Sequence, residues 1–322
     1  MFSPGNRVVV LGAGATRGAD PPPNRQCQPP LNADFFTQLQ RITRDKHITR
    51  VRDVIKDVVE LFGPDFALTL EDYFTHLESF ADTVRRTNVS HPKFTADFVA
   101  ARRDNLQRAL ASVLEESTDV SKSDATVCQH HAALVGALAP KDSIISFNYD
   151  CVIDHALRKQ AAGRWSARSG YTFQRPRRIV GHEHWSAPDP PKALAETIYL
   201  LKLHGSLNWK LPQGAGALTD DIVLKQRLYQ QNGTPQFTII PPENQKNIEQ
   251  GNFKTLWTNA ERAIRMAETI ALVGFSFTPT DLHVDSLFRF ALAGGRLRTL
   301  IIANPSREHR QRIGCGSPEG TS

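Results

Sequence analysis

Five short apolar runs, spread over most of the chain, each break off into a small or polar turn. RVVVL runs into Gly12-Ala13-Gly14, SIISF into Asn148-Tyr149-Asp150, and TIYLLKL into His204-Gly205-Ser206. TIALV runs into Gly274-Phe275-Ser276, and RTLIIA into Asn304-Pro305-Ser306. Aliphatic runs of this length, rich in β-branched residues and bounded by turn formers, read as buried strands. Between them, apolar residues recur at three- and four-residue steps, the spacing of helices. Strands alternating with helices predict an α/β fold, a Rossmann-like doubly wound and mostly parallel sheet. Ligands bind such sheets just outside the carboxyl ends of the strands. The five turns therefore converge Gly12, Gly14, Asn148, Asp150, His204, Ser276 and Asn304 on one crevice.

The turns differ in what they offer. Gly12, Ala13, Gly14, Ala15 and Thr16 follow the first strand, where glycines let the backbone come close to a ligand. A GxGxxG pattern is nearly met, with Gly18 one residue late. Asn148 and Asp150 share a side if the second strand persists that far; equally, Asp150 can open an Asx turn that starts the helix CVIDHALRK. His204, at a strand edge beside glycine, has the chemistry of a base near neutral pH. The proline-rich stretch 20–33 cannot be helical. It reads either as an exposed linker or as a loop over a bound ligand.

Residues 1–306 read as one domain. A helical block at about 34–124 is inserted into it, with loop-rich excursions at about 161–196 and 210–235. The polar tail 307–322 reads as disordered. No run of about 18 apolar residues is present, so no membrane-spanning helix is expected. The N-terminus lacks the basic-then-apolar pattern of a signal peptide. Four scattered cysteines, Cys27, Cys128, Cys151 and Cys315, with no CxxC, argue against a zinc ribbon and a disulfide framework and fit a reducing cytoplasm. The adjacent His130 and His131 point different ways on a helix, which disfavours a shared metal. The net charge of +6 is dispersed among acidic residues, with no nucleic-acid-binding module in evidence.

The order of these motifs resembles the sirtuin family. Gly12-Ala13-Gly14-Ala15-Thr16 is similar to its GAGxS turn, and Ser146-Phe147-Asn148-Tyr149-Asp150 to its (T/S)xNxD segment. His204-Gly205 is similar to the histidine–glycine pair, Val273-Gly274-Phe275-Ser276 to its late glycine–serine turn, and Ile302-Ala303-Asn304 to the strand that follows. Residues 205–314 contain no cysteine, so the zinc module of deacylating sirtuins is absent. PPLNADFF and KLHGSLNW further resemble sirtuin-like domains of bacterial anti-phage defence systems.

That resemblance implies cleavage of NAD+, as substrate and without a metal, to nicotinamide and ADP-ribose. It implies that Asn148 positions the water and the ribose, that Asp150 holds the ribose or offsets positive charge, and that His204 is the base. Gly12, Ala13, Gly14, Ala15 and Thr16 would take the pyrophosphate, with Gly274, Ser276 and Asn304 on the adenosine side. It also implies a homo-oligomer, and a partner such as a HerA-type ATPase. The alternatives are a non-catalytic NAD+ or ADP-ribose sensor, and a protein deacylase or ADP-ribosyltransferase.

Overall fold

A computed structural model describes residues 2–20, 26–43, 45–87, 95–118, 120, 125–212, 220–226, 237–240, 251–277 and 281–305. The chain opens with β1 (Arg7–Leu11) and the short α1 (Ala13–Arg17). A helical stretch follows: α2 (Phe35–Gln40), α3 (Asp45–Phe62), α4 (Leu70–Thr87), α5 (Ala96–Thr118) and α6 (Gln129–Ala137). Then come β2 (Ser143–Ser146), α7 (Val152–Gln160), α8 (Ala167–Gly170), β3 (Ile179–Val180) and α9 (His182–Trp185). The strands β4 (Tyr199–Lys202), β5 (Gly205–Ser206), β6 (Trp209–Lys210), β7 (Ile222–Leu224) and β8 (Thr238–Ile239) precede α10 (Gly251–Met266). The described chain closes with β9 (Thr269–Val273), α11 (Leu282–Ala293) and β10 (Thr299–Ala303).

The central sheet has the order β10-β9-β1-β2-β4, and every pair in it is parallel. β1 lies in the middle because VVVL is apolar on both faces; Val8, Val9, Val10 and Leu11 are all buried. Connections from β1 through β2 to β4 step one way across the sheet, while those from β4 to β9 to β10 step the other way. Right-handed crossovers therefore place α6 and α7, which pack together, on one face, and the α10–α11 pair on the other. This is the doubly wound arrangement expected from the sequence. The chain reverses direction between β1 and β9, and that is where such sheets bind ligands.

Arg7 at the start of β1 pairs with Asp142 just before β2 at 2.6 Å. Leu11 aligns with Ser146 on one side and Val273 on the other, so the carboxyl ends of the three strands are level. In the helical block, α5 packs against α2, α3 and α4. Phe36 and Tyr73 are buried core, and the partly buried Phe66 and Phe62 pack edge-on against them.

The excursion at 161–196 has more structure than its composition suggests. Trp165, Tyr171 and Trp185 are fully buried, and the two indole nitrogens donate to Trp185 O and Lys225 O. β3 from this excursion joins β7 and β6, which come later in the chain, in a small separate sheet. Part of the 210–235 excursion is also ordered, as β7. The tail 307–322 lies outside the described residues. None of the described helices is long and apolar enough to cross a membrane.

Candidate functional site

The turn after β1 is locked against the turn after β9. Gly12 N donates to Val273 O at 3.1 Å and Gly14 N to Gly274 O at 2.9 Å. Gly274 has φ +56, and a Cβ there would fall 2.1 Å from Ala15 N and 2.3 Å from Gly14 C. Only glycine lets these two backbones meet. The amides of Gly12, Gly14 and Ala15 are thus committed inside the protein, Ala15 N donating to Gly12 O. Ala13 is exposed at the head of the turn.

Asn148 joins this turn from the end of β2. Its Nδ2 donates to Gly12 O at 2.8 Å and to Thr16 Oγ1 at 3.0 Å. A carbonyl acceptor on Gly12 fixes which end of the amide is nitrogen. Thr16 Oγ1 passes its own hydrogen to Asp150 Oδ2 at 2.8 Å. The result is a directed chain, Asn148 to Thr16 to Asp150, which spends both amide hydrogens and leaves Asn148 Oδ1 to accept from a ligand. The other Asp150 oxygen accepts from Val152 N at 2.9 Å. Asp150 thus opens the Asx turn into α7, and through Thr16 it is also tied to the glycine turn; β2 itself ends at Ser146, short of Asn148 and Asp150.

His204 leaves the end of β4, where Gly205 turns at φ +83 under the Thr238 carbonyl. Three rings surround the imidazole. Phe147 meets it edge-on with centroids 5.1 Å apart, Tyr149 lies roughly parallel at 6.2 Å, and Trp257 of α10 tilts over it at 6.4 Å. His204 Nε2 is 3.7 Å from Asp281 Oδ2, an ion-pair distance. Asp281 also caps α11 through Val284 N, as its position in the sequence suggests. Asn148 and His204 keep 9 % and 6 % of their surface exposed, which leaves each able to touch a ligand at the crevice.

On the far side, Asn304 Nδ2 donates to Phe275 O at 3.0 Å, and Gly274 N donates to Ala303 O. Asn304 thus braces the turn that carries Gly274 and half-buried Ser276. Arg17 fastens the described part of the proline-rich loop to α1, reaching Pro29 O, Gln28 and Asp34. Cys27 and Pro29 are buried, so this described part of the loop packs on the protein instead of trailing as a linker. Among the described residues, no cluster of three His, Cys, Asp or Glu could hold a metal ion.

Pattern reading missed two contributors and the use of a third residue that it had named. Asp281 was visible only as a helix cap. Trp257 was one of several apolar positions on a helix. The hydroxyl of Thr16 serves Asn148 and Asp150, a use that a glycine-turn motif does not announce.

The turns after β1, β2 and β9 meet at the reversal point of a doubly wound α/β sheet, the place where such sheets bind ligands. The chain matches the SIR2-like domain over residues 142–314, more than half its length, and belongs to that family. The glycine turn at 12–16 precedes the matched region, and the bonds from Asn148 and Asp150 bring it into the same site. A SIR2-like domain fits NAD+-related function in general. No curated protein matches the chain.

Proposed function

We propose that the chain hydrolyses the bond between nicotinamide and ribose in NAD+, giving nicotinamide and ADP-ribose. What supports this reading is the SIR2-like match, together with an Asn148 amide oriented by Gly12 and Thr16 beyond one strand and a His204 imidazole beside Asp281 beyond the next. A module that only binds a nucleotide has no need of both. The residues suit the ribose and nicotinamide half of the ligand best. On the pyrophosphate side, Gly12, Gly14 and Ala15 serve by close backbone packing, since their N–H groups already donate within the protein.

Nicotinamide leaves as a neutral molecule, so the reaction needs no strong acid. One water adds its oxygen to the anomeric carbon as the glycosidic bond breaks, and one proton is released. Asn148 accepts from that water or from a ribose hydroxyl and fixes its approach. His204 takes the proton, and the Asp281 carboxylate offsets the charge the imidazole then carries. The rings of Phe147, Tyr149 and Trp257 keep other water away from the reacting centre. By resemblance we extend the proposal to an NAD+-depleting effector of anti-phage defence, working as a homo-oligomer beside a partner such as a HerA-type ATPase.

Incubation with NAD+ and chromatography of the products tests the chemistry. Wild-type protein releases nicotinamide and ADP-ribose in equal amounts. Asn148→Ala and His204→Ala each lose roughly 10²–10⁴ of the rate, the usual cost of removing a general base or its equivalent. Wild-type turnover in a folded His204→Ala variant rules this assignment out. Saturable NAD+ binding without any release, with or without cell lysate, makes the site a sensor.

A further inference from the structure

Directly beneath the crevice lies a fully buried ammonium that the hydrolysis scheme does not use. Lys202, the last residue of β4, and Asp154 in the first turn of α7 are both 0 % exposed. Lys202 Nζ donates to Asp154 Oδ2 at 3.0 Å, to Ser206 Oγ at 2.6 Å and to the main-chain oxygen of Asp150. Its three hydrogens thus meet three acceptors. The other Asp154 oxygen accepts from the Tyr171 hydroxyl, which in turn accepts from Asn208 Nδ2 at 3.2 Å. Burial alone would pull the ammonium down, but Asp154, with smaller help from Cys151 and Asp150, holds it above the ordinary lysine range. The same burial pushes the neighbouring Cys151 thiol up to about 12, so it stays neutral.

Stability does not account for this pair. Two charges taken from water cost several kcal/mol each, and apolar residues of similar volume commonly do as well or better. What the ammonium does, and an apolar side chain cannot, is join two segments that are distant in sequence. Asp150 ends the segment carrying Asn148, and Ser206 lies two residues beyond His204. The same strand end is tied again where Leu207 N donates to Tyr149 O at 3.0 Å.

We propose that Lys202 is a positioning residue whose ammonium sets the distance between Asn148 and His204. The inference rests on the hydrolase reading, because the spacing matters for rate only if both groups act on one substrate. A displacement of about 1 Å in such a constellation costs on the order of 10²-fold in turnover.

Lys202→Met alone strands a buried carboxylate and is expected to destabilise the fold, so the decisive variant is Lys202→Met combined with Asp154→Asn. This double change removes both charges and keeps an acceptor for Tyr171. Three readouts are made on the full chain: the urea midpoint, kcat and KM for NAD+, and amide hydrogen exchange over residues 147–152 and 203–208. The expected result is a midpoint near that of the wild type and KM within about threefold. With these go kcat lowered about 10- to 100-fold and faster exchange confined to those two segments. Ser206→Ala, which removes the hydroxyl's contacts with Lys202 and Cys151 but no charge, should show the same split on a smaller scale and serves if the double variant does not fold.

Turnover within twofold of wild type, or unchanged exchange in both segments, overturns the inference. If wild-type protein releases no nicotinamide at all, the hydrolase reading fails. The exchange data then decide by themselves whether the ammonium couples the two segments.

Discussion

Replacing Thr16 by valine keeps the shape of the side chain and removes one oxygen. That oxygen accepts from Asn148 Nδ2 and donates to Asp150 Oδ2, and all three residues are buried. In Thr16→Val, one amide hydrogen of Asn148 and one lone-pair set of Asp150 lose their partners. Each stranded buried group costs about 1–3 kcal/mol, so the variant should lose roughly 2–4 kcal/mol of stability, allowing for partial rescue by water. With a urea dependence of about 3 kcal/mol per molar, the unfolding midpoint falls by about 1 M. The effect on function should exceed the effect on fold. Asn148 keeps its bond to Gly12 O but loses its second tether, so the amide can rotate and Oδ1 no longer points reliably into the crevice. Nicotinamide release should fall at least tenfold at a urea concentration where the variant is still folded. Thr16→Ser, which restores the hydroxyl, should recover most of both losses. An unchanged midpoint and unchanged turnover in Thr16→Val would refute the directed chain from Asn148 to Asp150.

Three further outcomes are expected. Gly274→Ala places a methyl group against backbone atoms that cannot yield, at φ +56, and should cost roughly 2–6 kcal/mol from strain and overpacking together; Gly294→Ala, with open space around it, serves as the control and should stay within about 0.5 kcal/mol of wild type. His155 is held neutral, its pKa lowered to about 4 mainly by burial, with Arg158 Nε donating to Nδ1 and Nε2 facing Ala125 O. The unfolded chain takes up this proton near the ordinary value of about 6.5. Stability is therefore complete above that pH and declines as pH falls from about 6.5 to 4, by at most about 3 kcal/mol; a chemical-denaturation series in which His155→Gln keeps the same slope would contradict this. Burial alone would push the Cys128 thiol up, yet His131 at 3.1 Å and the Asp20 amide bring it down to about 6. Brief iodoacetamide treatment at pH 7.4 followed by peptide mapping should label Cys128 ahead of Cys27 and Cys151, and preferential labelling of Cys151 would count against the assignment.

The sheet is legible in the sequence because each strand announces itself twice, by an apolar run and by the turn that stops it. The positions of Asn148 and His204 are legible for the same reason, since the residues that follow a parallel strand lie at its carboxyl edge. Where local pattern fails, the cause is a partner far away in the chain. Lys202 looks like a solvated residue in TIYLLKL, and only α7, about fifty positions earlier, supplies the carboxylate that lets it be buried. Asp281 has the same difficulty, with His204 far upstream. Boundaries shift for local reasons. TIYLLKL pairs only over Tyr199–Lys202, because Thr197 N turns back to Leu194 O. The helix before β2 begins at Gln129, with Cys128 at its cap. The excursion at 161–196 reads as irregular because its order comes from tryptophans packing on one another, which leaves no periodic signal.

The placement of the helical stretch between β1 and β2 has a consequence for how the chain is made. β1 is the middle strand of the sheet, yet one neighbour ends at Ser146 and the other at Val273. At about 5–20 residues per second, a growing chain carries an unpaired VVVL strand for several seconds to tens of seconds before β2 emerges. Its second neighbour follows only after a further several seconds to tens of seconds. During that interval the strand presents two bare edges and two apolar faces, a template for pairing with another nascent chain. The helices α2–α5 are local structures that can form within the same interval. They give the emerging chain a collapsed body on which β1 can rest until its partners arrive. A strand so late to be completed makes final assembly of the sheet a slow, non-local step, and it falls at the two joints, Asn148 to Gly12 and Gly274 to Gly14, on which the crevice depends.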